Sequence, residues 1–311
     1  MNRPAPRSID EYLKQLRTAL AAEDPALIQD ALYDAEEYLR AELGAHPGKS
    51  EADVLELIAS TYGAPDEVAA AYRDTEAKVK AALRTPPPAR SQGSALQRFF
   101  SVFSDTRAYS SLFFMLLSLA TGIIYFTFAV TGLSLSAGLA ILIIGVPFFL
   151  AFIGISRVIS LGEGRLLEAM TGERMPRRPA YSSVGKPFTQ RLLDMLRDSR
   201  TWTTILYFVL MLPIGIIYFV IATVGLALSL SFTLLPVAVL GDRLNWWHVS
   251  FIDGVARPIE FHPAWAGSVP LLILMAAGGV LLLTILMHVA RGIGRTHARV
   301  AKSMLVPAAG A

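Results

Sequence analysis

The sequence predicts an all-α membrane protein: an N-terminal cytoplasmic helical bundle followed by four transmembrane helices arranged as two parallel hairpin repeats. Three observations carry that expectation. The 311 residues are 53% hydrophobic and 17% charged, with a mean hydropathy of +0.48, too apolar for an ordinary soluble domain. Charge is split along the chain: residues 1–83 hold nine Lys/Arg against sixteen Asp/Glu, and the rest hold nineteen against nine, so balances of −7 and +10 meet on one chain. The pentapeptide GIIYF is written twice, at Gly122 to Phe126 and Gly215 to Phe219, each time inside a long apolar stretch.

The front part, residues 8–83, reads as four short helices. Ile9, Tyr12, Leu13, Leu16 and Leu20 keep helical spacing on one face, and Asp24-Pro25 then offers an N-cap followed by proline at the first helical position. Leu27, Ala31, Leu32, Ala35, Tyr38 and Leu39 form the apolar stripe of a second helix. Ser50 and Asp53 have capping-box spacing before Val54, Leu55 and Ile58. Gly63 suits the left-handed position that ends this third helix, and Pro65-Asp66-Glu67 opens a fourth with acid at its positive dipole end. On the second helix Asp30, Asp34, Glu37 and Glu42 make an acidic face: either it is simply solvated, or it docks a basic partner. Asp30, Asp34 and Glu37 are the candidate partner-binding residues.

Residues 84–104 join the two parts. Three prolines at 86–88 followed by Ser-Gln-Gly-Ser cannot propagate a helix. Leu96, Phe99, Phe100 and Phe103 then form a short amphipathic piece expected along the membrane surface.

Residues 105–305 are the membrane part. Asp105 to Ser136 aligns without gaps on Asp198 to Ser229, with fourteen identities in thirty-two positions that include Asp105/Asp198, Arg107/Arg200, Gly132/Gly225 and Ser136/Ser229. Apolar composition alone supplies matched Leu and Ile, but not matched Asp, Arg, Gly and Tyr. A weaker match at an offset of 134 pairs Gly145 with Gly279, Arg157 with Arg291 and Arg165 with Arg299. Since 134 minus 93 is 41, the second copy carries an insertion, expected at about 230–267. Spans are expected at about 110–131, 133–156, 203–224 and 268–290. Leu226 to Leu240 is short for a fifth crossing and contains Pro236.

Arginine counts orient the spans. Residues 157–203 hold nine Lys/Arg and the tail from 291 four with no acid, whereas the insertion holds two beside three acids. By the positive-inside rule both termini are cytoplasmic and the insertion is extracytoplasmic. MNRPAPRSIDEYL lacks the apolar core of a signal peptide, in keeping with a cytoplasmic start.

Candidate ligand-binding residues follow from this layout. Tyr125 and Tyr218, the matched tyrosines of GIIYF, either line a cleft or pack with their hydroxyls bonded to a neighbouring backbone. Trp246, Trp247, His248, Glu260 and His262 collect in the insertion, where the tryptophans form an interfacial belt or a small cap that recognises a ligand or lipid headgroup. The two histidines fit no metal-binding spacing. His288 is the one ionisable side chain, tyrosines aside, inside the expected spans, which argues against transport. No Ser-His-Asp order, HExxH, P-loop or GxGxxG is present, Gly162-Glu163-Gly164-Arg165 is too short to cradle phosphate, and cysteine is absent. The expectation is therefore no enzyme, no cofactor, no metal and no direct nucleic-acid binding, with membrane lipids as partners.

DALYDAEEYLRAEL followed by LIASTYGAPDEVAAAYR resembles the HAAS signalling domain, a small helical module beside membrane sensor domains. The paired hairpins with GIIYF centres and the ARG...HARVAKSML ending resemble a sensor-type four-span membrane domain. Together these resemblances imply a sensor or regulatory protein of the bacterial cytoplasmic membrane, relaying a membrane or extracytoplasmic signal to a separate cytoplasmic partner of the PadR type. The alternative reading is a lipid-binding or transport-accessory membrane protein with its site in the cleft between hairpins.

Overall fold

The structure, a computed structural model, describes residues 5–83, 94–142, 144–178, 196–244, 251–252, 258–259 and 268–306. Helices dominate: α1 (Ile9–Ala19), α2 (Pro25–Ala45), α3 (Glu51–Ile58), α4 (Pro65–Leu83), α5 (Ala95–Phe100), α6 (Thr106–Leu139), α7 (Gly145–Thr171), α8 (Ser199–Arg243) and α9 (Val269–Leu305). The described strands are a two-residue antiparallel pair, Phe251–Ile252 with Pro258–Ile259. By contacts the chain forms two compact units, Met1–Arg90 with Tyr125–Leu210 and His297–Ala311, and Ser91–Ile124 with Met211–Thr296.

The front helices begin and end where their residues dictate. Asp24 accepts from the Ala26 N–H at 2.9 Å ahead of Pro25. Ser50 and Asp53 complete both halves of a capping box, at 3.2 Å and 3.1 Å. Gly63 has φ of 97°, which a side chain would resist, and its carbonyl accepts the Tyr12 hydroxyl at 2.9 Å. Ile9, Tyr12 and Leu16 of α1 and Leu20 at its C-cap meet Ile28, Ala31, Ala35 and Leu39 of α2, with Leu55, Ile58, Val68 and Ala69 closing the core. At about 1.5–3 kcal/mol per buried large apolar side chain, that core is what holds four short helices together.

Four helices, α6 to α9, are long and apolar enough to cross a membrane, so the chain is a multi-pass membrane protein. Besides α7 and α9 running past the expected ends at 156 and 290, their bounds differ from the sequence expectation at two turns. The first helix runs on to Leu139, and α7 starts at Gly145, with Pro147 in its first turn. Proline is tolerated there because first-turn N–H groups have no intrahelical partner. The second difference is larger. Residues 226–240 form no separate fifth helix: α8 continues unbroken to Arg243, through both Pro213 and Pro236. In an apolar surrounding a continued helix satisfies more backbone groups than any loop, so a proline that would end a helix in water is carried inside one. The first residues of the expected insertion, 230–243, are thus helical and continue α8.

Close helix approach is visible at the matched glycines. In the second unit, a Cβ on Gly122 would lie 2.5 Å from the Met211 carbonyl oxygen of α8, and one on Gly215 would collide with the Ser118 carbonyl of α6. Only glycine allows these backbones to touch. Tyr218 packs nearby, partly buried against Met115, Ala222 and Ala290. In the same unit, Phe99 of α5 stacks on His288 at 5.3 Å between ring centroids.

Candidate functional site

Helix α2 is an ordinary amphipathic helix with one unusual residue: Asp30, 6% exposed, sits on the face that sequence reasoning left between solvation and docking. Its carboxylate is taken up inside the first unit. The Arg174 guanidinium reaches it at 3.0 Å, and the backbone N–H groups of Arg177 and Arg178 donate to it at 2.8 and 2.9 Å. Arg174 is shared with Glu76 of α4 at 2.8 Å. Burial pushes the Asp30 carboxyl above the ordinary carboxylate value, against the pull of the two N–H groups and Arg174, which hold it down. Around this anchor, Arg178 pairs with Asp34 at 2.9 Å, Lys302 bridges Asp24 and Glu173 at 2.7 and 3.2 Å, and Gln29 donates to the Arg178 carbonyl at 2.6 Å. Gln29 also accepts from Arg200 at 3.0 Å, and Arg200 donates to the Leu305 carbonyl as well. One face of α2 is therefore fastened to the segment after α7, to the start of α8 and to the end of α9.

A second polar cluster lies among the long helices of the same unit. Glu163 of α7 is 1% exposed and accepts from the Tyr125 hydroxyl at 2.7 Å and the Tyr207 hydroxyl at 2.9 Å. Tyr207 also meets His297 of α9, 2% exposed, at 3.1 Å. A carboxylate so enclosed needs such donors, because a buried polar group left without them costs several kcal/mol. The arrangement joins α6, α7, α8 and α9 through hydrogen bonds alone.

Between these clusters is a cavity of about 290 Å³, near the lower end of the ~300–1,000 Å³ typical of small-molecule sites. Gln29 and Tyr33 of α2 contribute to its wall, as do Arg157 of α7 and Arg200 of α8. Arg157 donates to Asp198 and to Thr201, both at 3.3 Å.

The candidate residues from the sequence fare unequally. Tyr125 belongs to the polar cluster and Tyr218 to an apolar contact. Asp30 and Asp34 face inward onto arginines, and Asp34 also accepts from the Tyr72 hydroxyl at 2.9 Å, while Glu37 stays exposed. Trp246, Trp247, His248, Glu260 and His262 lie outside the described residues, as does the linker at 84–93. Sequence reasoning missed Glu163 and His297. Expected spans that stopped at 156 and 290 left both in juxtamembrane tails, so His288 looked like the one ionisable group. The signal was present, since 163 and 297 differ by the same 134 that pairs Arg157 with Arg291.

A family model described as "Putative sensor" matches residues 114–305, more than half of the chain. No curated protein and no solved structure matches it.

Proposed function

The chain belongs to the Sensor family, and we propose that it works as a membrane sensor that relays a membrane or extracytoplasmic signal to a cytoplasmic protein partner through its front bundle. The observation that carries this reading is the seat of Asp30. A buried carboxylate fastened by Arg174 and two backbone N–H groups makes the front bundle a responder to the ends of the long helices. Because α2 also touches Arg200 and Lys302, a shift of α7, α8 or α9 changes how α2 is held. Partner recognition then falls to surfaces of the bundle that seating covers or uncovers, with exposed Glu37 at the edge of the seated face. The HAAS resemblance makes a PadR-type regulator the expected partner, and the basic tail and loop assign both termini to the cytoplasm.

The membrane half is, in the same proposal, one hairpin used twice in the same direction. Support comes from contacts that recur at matched positions. Asp105 pairs with Arg291 at 3.0 Å, and Asp198 with Arg157 at 3.3 Å. Gly132 lies against Phe152, and Gly225 against Leu286, with 152 and 286 separated by the same 134. Tyr109 donates to the carbonyl of Phe103, and Trp202 to that of Leu196, each six residues back.

Arg174→Gln is the direct test. Loss of one partner from a buried ion pair costs about 3–5 kcal/mol, so the variant is expected to show faster amide exchange across α2 and a changed recovery of cytoplasmic protein on full-length bait. Unchanged exchange in α2 together with unchanged partner recovery would remove the relay.

A further inference from the structure

The cavity in the first unit has a chemistry of its own. Among its lining residues two arginines, Arg157 and Arg200, stand against one aspartate, Asp198, so the wall carries a net single positive charge. One turn before Arg157 on α7 the lining becomes apolar, at Ile153 and Gly154, and Leu161 and Met175 extend it. Nothing stands within 4 Å of the position a Cβ would take on Gly154, and Val158 of the same wall is 70% exposed. The space is thus open along one face of a membrane-crossing helix, with Arg157 standing between apolar residues one turn before it, Ile153 and Gly154, and one turn after it, Leu161.

We propose that this cavity seats an amphiphile with one negative charge, its head on Arg157 and Arg200 and its alkyl chain along Ile153 and Gly154. A guanidinium fork suits a phosphate or carboxylate head better than an ammonium does, and the aliphatic wall rewards a chain at each CH₂ it covers. Gln29 and Tyr33 of α2 complete the wall, so occupancy adds a contact that ties the front bundle to α7 and α8. The ligand class here rests on the relay reading only for its consequence; the site itself stands on the cavity.

The test uses full-length protein in a neutral maltoside detergent, read by native mass spectrometry. Three probes separate the parts of the ligand: lauroyl lysophosphatidylglycerol has chain and single negative charge, lauroyl lysophosphatidylcholine has the chain with a cancelled charge, and glycerophosphoglycerol has the singly charged head alone. The first is expected to bind about tenfold or more tighter than either of the others. A Cβ at Gly154 meets no atom within 4 Å and leucine improves helix propensity, so Gly154→Leu is expected to keep the thermal unfolding temperature while losing at least about tenfold in binding. Arg157→Gln should erase the preference for the anionic probe and leave the choline probe as it was. Equal binding of the two lysolipids, or wild-type binding by Gly154→Leu, overturns the site. Nanodiscs of phosphatidylcholine with and without phosphatidylglycerol distinguish a bilayer lipid from a free amphiphile as the source: carry-over of one phosphatidylglycerol through purification, absent in Gly154→Leu, assigns it to the bilayer, and uptake of the lysolipid alone assigns it to a free ligand. A protein that binds the anionic probe normally yet shows no change in partner recovery would defeat the relay and spare the cavity.

Discussion

Residues 105–136 and 198–229 begin alike and end alike, yet each gives its tyrosine hydroxyl to Glu163 from a different position, Tyr125 in the first and Tyr207 in the second. At the start of each, an aspartate caps the helix by accepting from the N–H two residues on, at 3.0 Å in both. Near the end of each, a serine donates back to a glycine carbonyl at 2.6 Å, Ser136 to Gly132 and Ser229 to Gly225. Midway they part. Phe114 and Tyr207 occupy matched positions and are equally buried at 1%, but the Tyr207 hydroxyl reaches Glu163 and His297. The features held in common are those that a helix needs to enter and pack in a membrane. The feature that differs is chemical, and it lies in the same unit as the seated front bundle.

The largest effect expected from that comparison is at the two caps. Asp198 is 7% exposed with its Arg157 partner, whereas Asp105 is 26% exposed with Arg291. Asp198→Ala should therefore cost about 3–5 kcal/mol, and Asp105→Ala only about 1 kcal/mol, the value of a cap and a screened pair. Thermal unfolding of both variants in the same detergent checks this, and equal losses would erase the distinction between the copies. The matched glycines should behave alike instead. Gly122→Ala and Gly215→Ala each force a methyl into the opposite backbone, for about 1–3 kcal/mol each. Since they widen one crossing, the double variant should lose less than the sum.

Smaller effects test the polar difference. Tyr207→Phe makes the second copy resemble the first and removes a donor from Glu163, with an expected cost of about 1–3 kcal/mol. Phe114→Tyr, read in the same assay, should also destabilise, because the position matched to Glu163 holds His297 and no carboxylate. The front bundle supplies a control that neither copy influences. The Asp53 carboxylate is held below its ordinary range by the Ser50 hydroxyl and then by the Ser50 N–H. A depressed folded value means that the cap contributes above the unfolded pKa of about 3.9 and fades as pH falls through the folded one. The difference in unfolding temperature between wild type and Ser50→Ala should accordingly shrink on acidification, and growth of that difference would reverse the assignment.

Much of the architecture is legible in the residues. Ser50, Asp53, Asp24 and Gly63 announce their caps and turns because capping needs a particular side chain at one position, and apolar length announces four membrane-crossing helices. Helix ends within the membrane are less legible. Pro236 counts against a crossing at 226–240 by rules learned in water, and the absence of water changes which backbone groups must be bonded internally.

By itself the sequence determined the helical class, the two unlike charge halves, the matched segments and the four apolar crossings, since periodicity, composition and capping are local properties. Tertiary structure alone decided which acid is buried. Asp30, Asp34 and Glu37 are close neighbours in sequence and equal in charge, and only the arrival of Arg174, Arg177 and Arg178 from about 140 residues away turns one of them into an anchor. The same holds for Glu163 and for the cavity, because burial and enclosure are sums over distant parts of the chain and no short stretch contains them.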